Sequence, residues 1–241
     1  MKVEDPTIAN ISSYSDHAVR GDHLYGAESL IFNQIIKSND RILDIGCGTG
    51  RVTRALARAG GRVDACDMES NALNELKKSV AGLQITARLA DARNLPYEDE
   101  YFDIVVFAFN GLDFLSSIEE RLRVIAEMHR VLKPGGHLVI SSHNPVGALL
   151  SPRGMFRFRS LSHRISRLAR GQMMDSYAPD MAGLVLYQGT PRRIIRQIEE
   201  VTSFRIMSCY DQTGRINSTP LLTLFSPWPY YHFRKMAHQA V

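Results

Sequence analysis

The sequence is poor in cysteine. It has three in 241 residues, Cys47, Cys66 and Cys209, widely spaced and with no CxxC pair. A disulfide framework or a zinc site therefore has no support, and a reducing, cytoplasmic setting is expected. No apolar run approaches the ~18 residues of a membrane span. The amino-terminal MKVEDPTIANISSYSD is polar and partly acidic, unlike a signal peptide. Internal repeats and low-complexity segments are missing, and so is the G-x-G-x-x-G spacing of dinucleotide sites. What is left is an ordinary soluble globular balance, 44% hydrophobic and 22% charged. The length suits one large α/β domain, or a domain plus a small lid.

The net charge of +4 hides an asymmetry. Residues 1–145 carry 16 basic and 20 acidic side chains, and residues 146–241 carry 13 and 5. Six arginines and no acid fall within 151–172. Charge concentrated in this way marks either an anionic partner or a solvated face.

Strand-like and helix-like patterns alternate through the first 145 residues. RILDI (41–45), RVDAC (62–66), QITARL (84–89), FDIVVFAF (102–109) and HLVISS (137–142) read as strands. FDIVVFAF is apolar enough to be covered on both faces, as parallel strands are. Between them, Val52, Ala55, Leu56 and Ala59 share one helical face. Ser70 is expected to cap a helix over about 71–80. Ile118, Leu122, Ile125 and Leu132 form the stripe of a helix over 118–132, which Lys133-Pro134-Gly135-Gly136 breaks. Thr190-Pro191 opens another helix, and FRIMSCY (204–210) and a segment near 228–235 supply further strands. This spacing predicts βαβ units and a parallel sheet, with ligands beyond the carboxyl ends of the strands.

The chemistry concentrates in Asp44-Ile45-Gly46-Cys47-Gly48-Thr49-Gly50. Glycines let the backbone approach a ligand closely, and the following helix offers free N–H groups to an anion. The spacing is G-x-G-x-G, one residue short of the dinucleotide pattern. Asp44 would repel a pyrophosphate but could receive the amino group of a methionine moiety. Asp67 ends the second strand, where a carboxylate can accept from ribose hydroxyls. Asp91 ends the third and could accept from an adenine amino group.

Four segments in register, LDIGCGTG, ACDME, ADARNLPYEDEYFDIVVFAFNGLDFL and HRVLKPGGHLVIS, resemble class I S-adenosylmethionine-dependent methyltransferases, specifically the type-11 methyltransferase domain. The resemblance covers about residues 40–145. It implies a Rossmann-like, seven-stranded, mostly parallel sheet with helices on both faces and an antiparallel last strand. It further implies S-adenosylmethionine as cofactor, with Gly46, Cys47 and Gly48 against its methionine part. Asp67 would bind the ribose and Met68 would pack on the adenine. Asp91 and Ala92 would lie near the adenine ring, and Phe109 and Asn110 near the amino group and sulfonium. In similar enzymes an amino-terminal side chain closes over the cofactor; Tyr14 and Arg20 are the candidates here. FNGLDFL and SSHNP also look like bacterial methyltransferases of polysaccharide and small-molecule gene neighbourhoods.

The expected organisation is an arm (1–25), a core (26–145 and 189–241) and a basic helical cap or substrate insertion (146–188). The expected reaction is in-line displacement onto a small-molecule acceptor, O- or N-methylation of a sugar, lipid-linked or natural-product substrate, with C-methylation also left open. A base is needed only where the acceptor must lose a proton. His143, just after the fifth strand, is the candidate catalytic residue, with Asp113, His17 and His23 as further candidates. His129 reads as packing, and Asn110 as a group that could orient the acceptor. No [D/N]PP[Y/F] follows the fourth strand, nor do paired glutamates, so adenine, glutamine and arginine acceptors lack support. No metal site is expected. The cap, with Leu161, Ile165 and Leu168 on one stripe and Arg164, Arg167 and Arg170 around it, fits a lid for an anionic acceptor, an anionic membrane surface or a solvated helix. No nucleic-acid module accompanies its arginines. The alternatives are a non-catalytic S-adenosylmethionine-binding regulator and an NAD-dependent oxidoreductase.

Overall fold

A computed structural model describes residues 23–150, 176–179, 185–215 and 225–237. Its order is α1 (Gly26–Ile35), β1 (Arg41–Ile45), α2 (Arg51–Arg58), β2 (Arg62–Asp67), α3 (Ser70–Lys78), β3 (Ile85–Leu89) and β4 (Phe102–Phe107). A 3₁₀ turn (Gly111–Phe114), α4 (Ile118–Val131), β5 (Leu132–Ser141) and α5 (Pro145–Leu150) follow. The chain then forms β6 (Ser176–Pro179), β7 (Val185–Gln188), α6 (Pro191–Val201), β8 (Phe204–Tyr210) and β9 (Tyr230–Lys235).

Seven strands make one sheet in the order β3-β2-β1-β4-β5-β9-β8. β1 to β5 pair in parallel, and β9 runs antiparallel to both β5 and β8. This is the Rossmann-like sheet expected from the sequence. Phe102, Ile104, Val105 and Val106 of the central β4 are fully buried, as an apolar parallel strand with helices on both faces must be. Truncating Ile104 to alanine should cost about 2–5 kcal/mol.

Two local expectations change. Ser70 does not cap α3: the Glu69 side chain does, accepting from Asn71 N. One position earlier, the longer carboxylate reaches the free N–H groups and also favours the positive helix end. The helix does end ahead of Lys133–Gly136, at Val131, but the strand expected from His137 already occupies that segment. β5 begins at Leu132 and runs through it, with its register against β4 shifting between Phe102 and Ile104. A glycine-rich bulge can bend a strand without ending it.

Of the segment read from the sequence as a cap (146–188), the structure describes α5 and the antiparallel ribbon β6–β7, which packs through β7 on the 3₁₀ turn. The expected helix near 160–170, the arm residues Tyr14, His17 and Arg20, and the cap side chains Leu161, Ile165, Leu168, Arg164, Arg167 and Arg170 lie outside the described residues. No helix among the described residues is long and apolar enough to cross a membrane.

Candidate functional site

The parallel strands end together at Ile45, Asp67, Phe107 and Ser141, and the candidate residues collect on that edge. After β1 the chain turns through Gly46, Gly48 and Gly50, with φ of 63°, 52° and 89°. A Cβ on Gly50 would strike Leu76 Cδ1 at 2.1 Å, so that glycine serves packing. Gly48 differs: a Cβ there would meet nothing within 4 Å, so its backbone faces open space. The loop is held from below. Gly48 N donates to Asp67 Oδ2 at 2.8 Å, Glu69 N donates to Asp67 Oδ1 at 2.9 Å, and Cys47 N donates to Cys66 O.

The three acids behave differently. Asp44 is buried, with its Oδ2 accepting from Thr53 Oγ1 at 2.6 Å, and burial pushes its carboxyl up to about 7. Asp67 is also raised by burial, against the pull of the Glu69, Gly48 and Met68 N–H groups. Asp91 is turned inward on its own loop. It accepts from the Arg93 backbone and, through both oxygens, from the Arg93 guanidinium, which outweighs burial and lowers its pKa. Ala92 beside it packs on the main core, and Met68 is half-buried after β2.

At the exits of β4 and β5 the sequence candidates meet. Asn110, buried and left-handed at φ 62°, donates its N–H to Ser141 Oγ at 2.8 Å. Its Nδ2 lies 3.4 Å from His143 Nε2, and its buried Oδ1 has no hydrogen-bond partner among the described residues. Such an orphan acceptor is uncommon in folded proteins and points to a missing donor. His143 is half-buried. Asp113 Oδ2 accepts from His143 N at 2.6 Å and lies 3.1 Å from its Nδ1. Two histidine and aspartate candidates read separately thus form one dyad, in which Asp113 orients the ring and leaves Nε2 toward Asn110.

His129 packs as expected, edge-on to Phe204 and bonded to Ser203 Oγ at 2.8 Å. His23 is exposed, and its carbonyl accepts from Arg51. No group of three or more metal-binding side chains occurs among the described residues.

Sequence reasoning missed two charged clusters. Arg51, the first residue of α2, makes a bidentate pair with fully buried Glu28 at 2.6 and 2.8 Å, under Tyr25 and near Phe109. Glu28 also accepts from Tyr230 Oη. Arg121 is fully buried behind Asp113. Neither had a signal: the partners lie 23 and 8 residues apart, and each arginine follows an ordinary helical pattern.

Residues 42–136 match the family model described as a methyltransferase domain. A demethylmenaquinone methyltransferase of Staphylococcus epidermidis is 35% identical over 134 residues, 54% of this chain and 52% of that protein. A ubiquinone/menaquinone biosynthesis C-methyltransferase of Desulfotalea psychrophila is 34% identical over 122 residues, 49% and 48% of the two chains. The chain spans about half the length of these curated relatives. Among solved structures, an S-adenosylmethionine-dependent methyltransferase of Methanosarcina mazei superposes with a TM-score of 0.62 at 21% identity, over 86% of this chain and 98% of the other.

Residues 42–136 thus match a methyltransferase domain, and the sheet has the fold of a protein described as S-adenosylmethionine-dependent, which names S-adenosylmethionine as the cofactor to test against this site. The residues at the strand ends fit that cofactor. They offer an open backbone face at Gly48, two buried carboxylates on the loop, and an unpartnered amide oxygen able to accept from an ammonium.

Proposed function

We propose that this protein methylates a ring carbon of a hydroxylated aromatic small molecule of the naphthoquinol type, with His143 as general base. The His143–Asp113 dyad at the exit of β5 carries the reading, because a base is wanted only where the acceptor holds a proton to be removed. The relatives' names are demethylmenaquinone methyltransferase and ubiquinone/menaquinone biosynthesis C-methyltransferase, which favours carbon among the oxygen, nitrogen and carbon acceptors that the sequence leaves open.

S-adenosylmethionine supplies a sulfonium methyl group already activated for displacement. Gly46, Cys47 and Gly48 hold its methionine part, Asn110 Oδ1 and Asp44 receive its ammonium, and Asp67 receives its ribose. Met68 and Ala92 flank its adenine. Asp91 serves the adenine only by exchanging its Arg93 partner. The chain's own task is alignment, which can supply several kcal/mol, and proton transfer. His143 Nε2 takes the hydroxyl proton of the acceptor, and the negative charge spreads to the adjacent ring carbon. That carbon takes the methyl, its surplus hydrogen leaves to water as a proton, and the imidazolium returns its own proton to the ring oxygen, which restores the hydroxyl. Asp113 holds the Nδ1–H and steadies the imidazolium that forms.

The test is turnover of 1,4-naphthalenediol, kept reduced, with labelled methyl donor, and mass and NMR analysis of the product. A ring-methylated product is expected, with turnover about 10²–10⁴-fold lower in His143→Ala. Formation of the methyl ether alone, or full activity in His143→Ala, would overturn the proposal.

A further inference from the structure

Arg121 is a long charged side chain that no water reaches. It is 0% exposed and sits in α4 with an ion-pair partner, Asp113, that is also 0% exposed. Burying two charges costs several kcal/mol per ion, and a hydrophobic pair would serve packing as well or better. The surroundings are built to keep this one in place. Arg121 donates to Leu112 O and to Asp113 Oδ1, the latter at 3.1 Å. Its Nε and second terminal nitrogen reach Gln197 Oε1 of α6 at 3.4 and 3.2 Å. The Tyr187 ring of β7 covers the guanidinium at 3.8 Å, and Tyr177 of β6 packs edge-on against Tyr187 at 5.6 Å.

The Asp113 carboxylate is divided between two tasks. Oδ1 faces Arg121, and Oδ2 faces the His143 backbone N–H and Nδ1. We propose that Arg121 is a positioning residue for methyl transfer: clamped by the β6–β7 ribbon and α6, it fixes Asp113 and balances its charge, so that Asp113 holds the His143 ring turned for proton transfer. This rests on the reading of His143 as the base. It also gives the β6–β7 ribbon a task, since Tyr187 and Tyr177 come from it.

The sign follows from the charges. With Arg121 present the Asp113 carboxylate is shared between a guanidinium and His143. Without Arg121 the same carboxylate faces His143 alone and favours the imidazolium. The other ionisable groups around the network are Glu119 and Glu120 on α4, Tyr177 on β6, Tyr187 on β7 and Tyr231 on β9. Burial pushes the Tyr177 hydroxyl up to about 12 and Tyr231 well above its usual value, so both are neutral at working pH. The two glutamates act on Tyr177 and are common to all variants.

The experiment is an NMR titration of histidine-labelled protein, which needs no acceptor, in wild type, Arg121→Met, Arg121→Lys and Tyr187→Leu. His143→Ala assigns the signal and is assayed for turnover of 1,4-naphthalenediol. Arg121→Met should raise the His143 midpoint by about one pH unit or more and move the acid limb of kcat by the same amount. KM for the cofactor should stay unchanged. Arg121→Lys should restore most of the wild-type midpoint, and Tyr187→Leu should shift it less, in the same direction. Should Arg121→Met fail to fold, Tyr187→Leu and Arg121→Lys decide. A His143 midpoint that is the same in every folded variant overturns the proposal while leaving the base assignment standing. Turnover that survives His143→Ala overturns the base assignment, and with it the positioning role.

Discussion

Replacing Asp44 with asparagine should remove a pH dependence of stability that the wild-type chain carries. Asp44 is 2% exposed at the end of β1, with one oxygen accepting from Thr53 Oγ1. Burial raises its carboxyl from 3.8 to about 7; Thr53 and Arg51 oppose the rise, and Glu28 and Asp67 add to it. In the unfolded chain the same group titrates near ~3.9. Because the folded value is the higher one, the folded state holds the proton more tightly. The stability this confers is fully present below the unfolded value and is lost as pH rises through the folded one, between about 4 and 7. At roughly 1.4 kcal/mol per pH unit the loss amounts to about 4 kcal/mol. That is a large share of the ~5–15 kcal/mol that holds a domain together. Asparagine keeps an acceptor for Thr53 and cannot ionise. Urea unfolding of both cofactor-free chains across pH 4 to 8 reads the effect, since every other group is common to the two. The stability of Asp44→Asn relative to wild type should grow by about 4 kcal/mol over that range. A difference that stays flat with pH would refute the account of Asp44 as a buried acid lacking compensation.

Gly48→Ala should fold, at a cost of about 1–2 kcal/mol for a left-handed residue with a Cβ, because nothing lies within 4 Å of the added atom. Its Kd for S-adenosylmethionine should rise tenfold or more by calorimetry, and an unchanged Kd would place the cofactor elsewhere. Glu28→Ala strands Arg51 at a largely buried site and should lower stability by about 3–5 kcal/mol in thermal unfolding; a loss under 1 kcal/mol would show the pair to be solvent-screened. Burial pushes the Cys209 thiol up to about 12 and raises Cys47 and Cys66 further. All three should therefore ignore a thiol reagent at pH 8 until the chain unfolds, and early reaction of any one would contradict this packing.

The order of strands and helices through residues 41–141 was legible in the sequence because alternating apolar runs and helical stripes are local patterns. So was the glycine loop, whose spacing records a backbone conformation: positive φ at Gly46, Gly48 and Gly50 is written in residue type. His143 and Asn110 could be placed at strand exits for the same reason. The ends of elements were less legible. The choice between Ser70 and Glu69 as cap, and of where β5 starts around Lys133–Gly136, depends on which neighbours compete for each N–H.

What only the tertiary structure decided is how charges pair. Asp113 and His143 stand 30 residues apart, and Arg121 and Gln197 stand 76 apart. No periodicity links such positions, so His143 and Asp113 could be read only as separate candidates, and Arg121 and Gln197 not at all. Their meaning comes from burial, which makes an unpaired charge too costly and so forces partners together across the sheet edge. Local pattern set the frame and the glycine loop; long-range desolvation selected which of the polar residues pair with one another behind the strand exits.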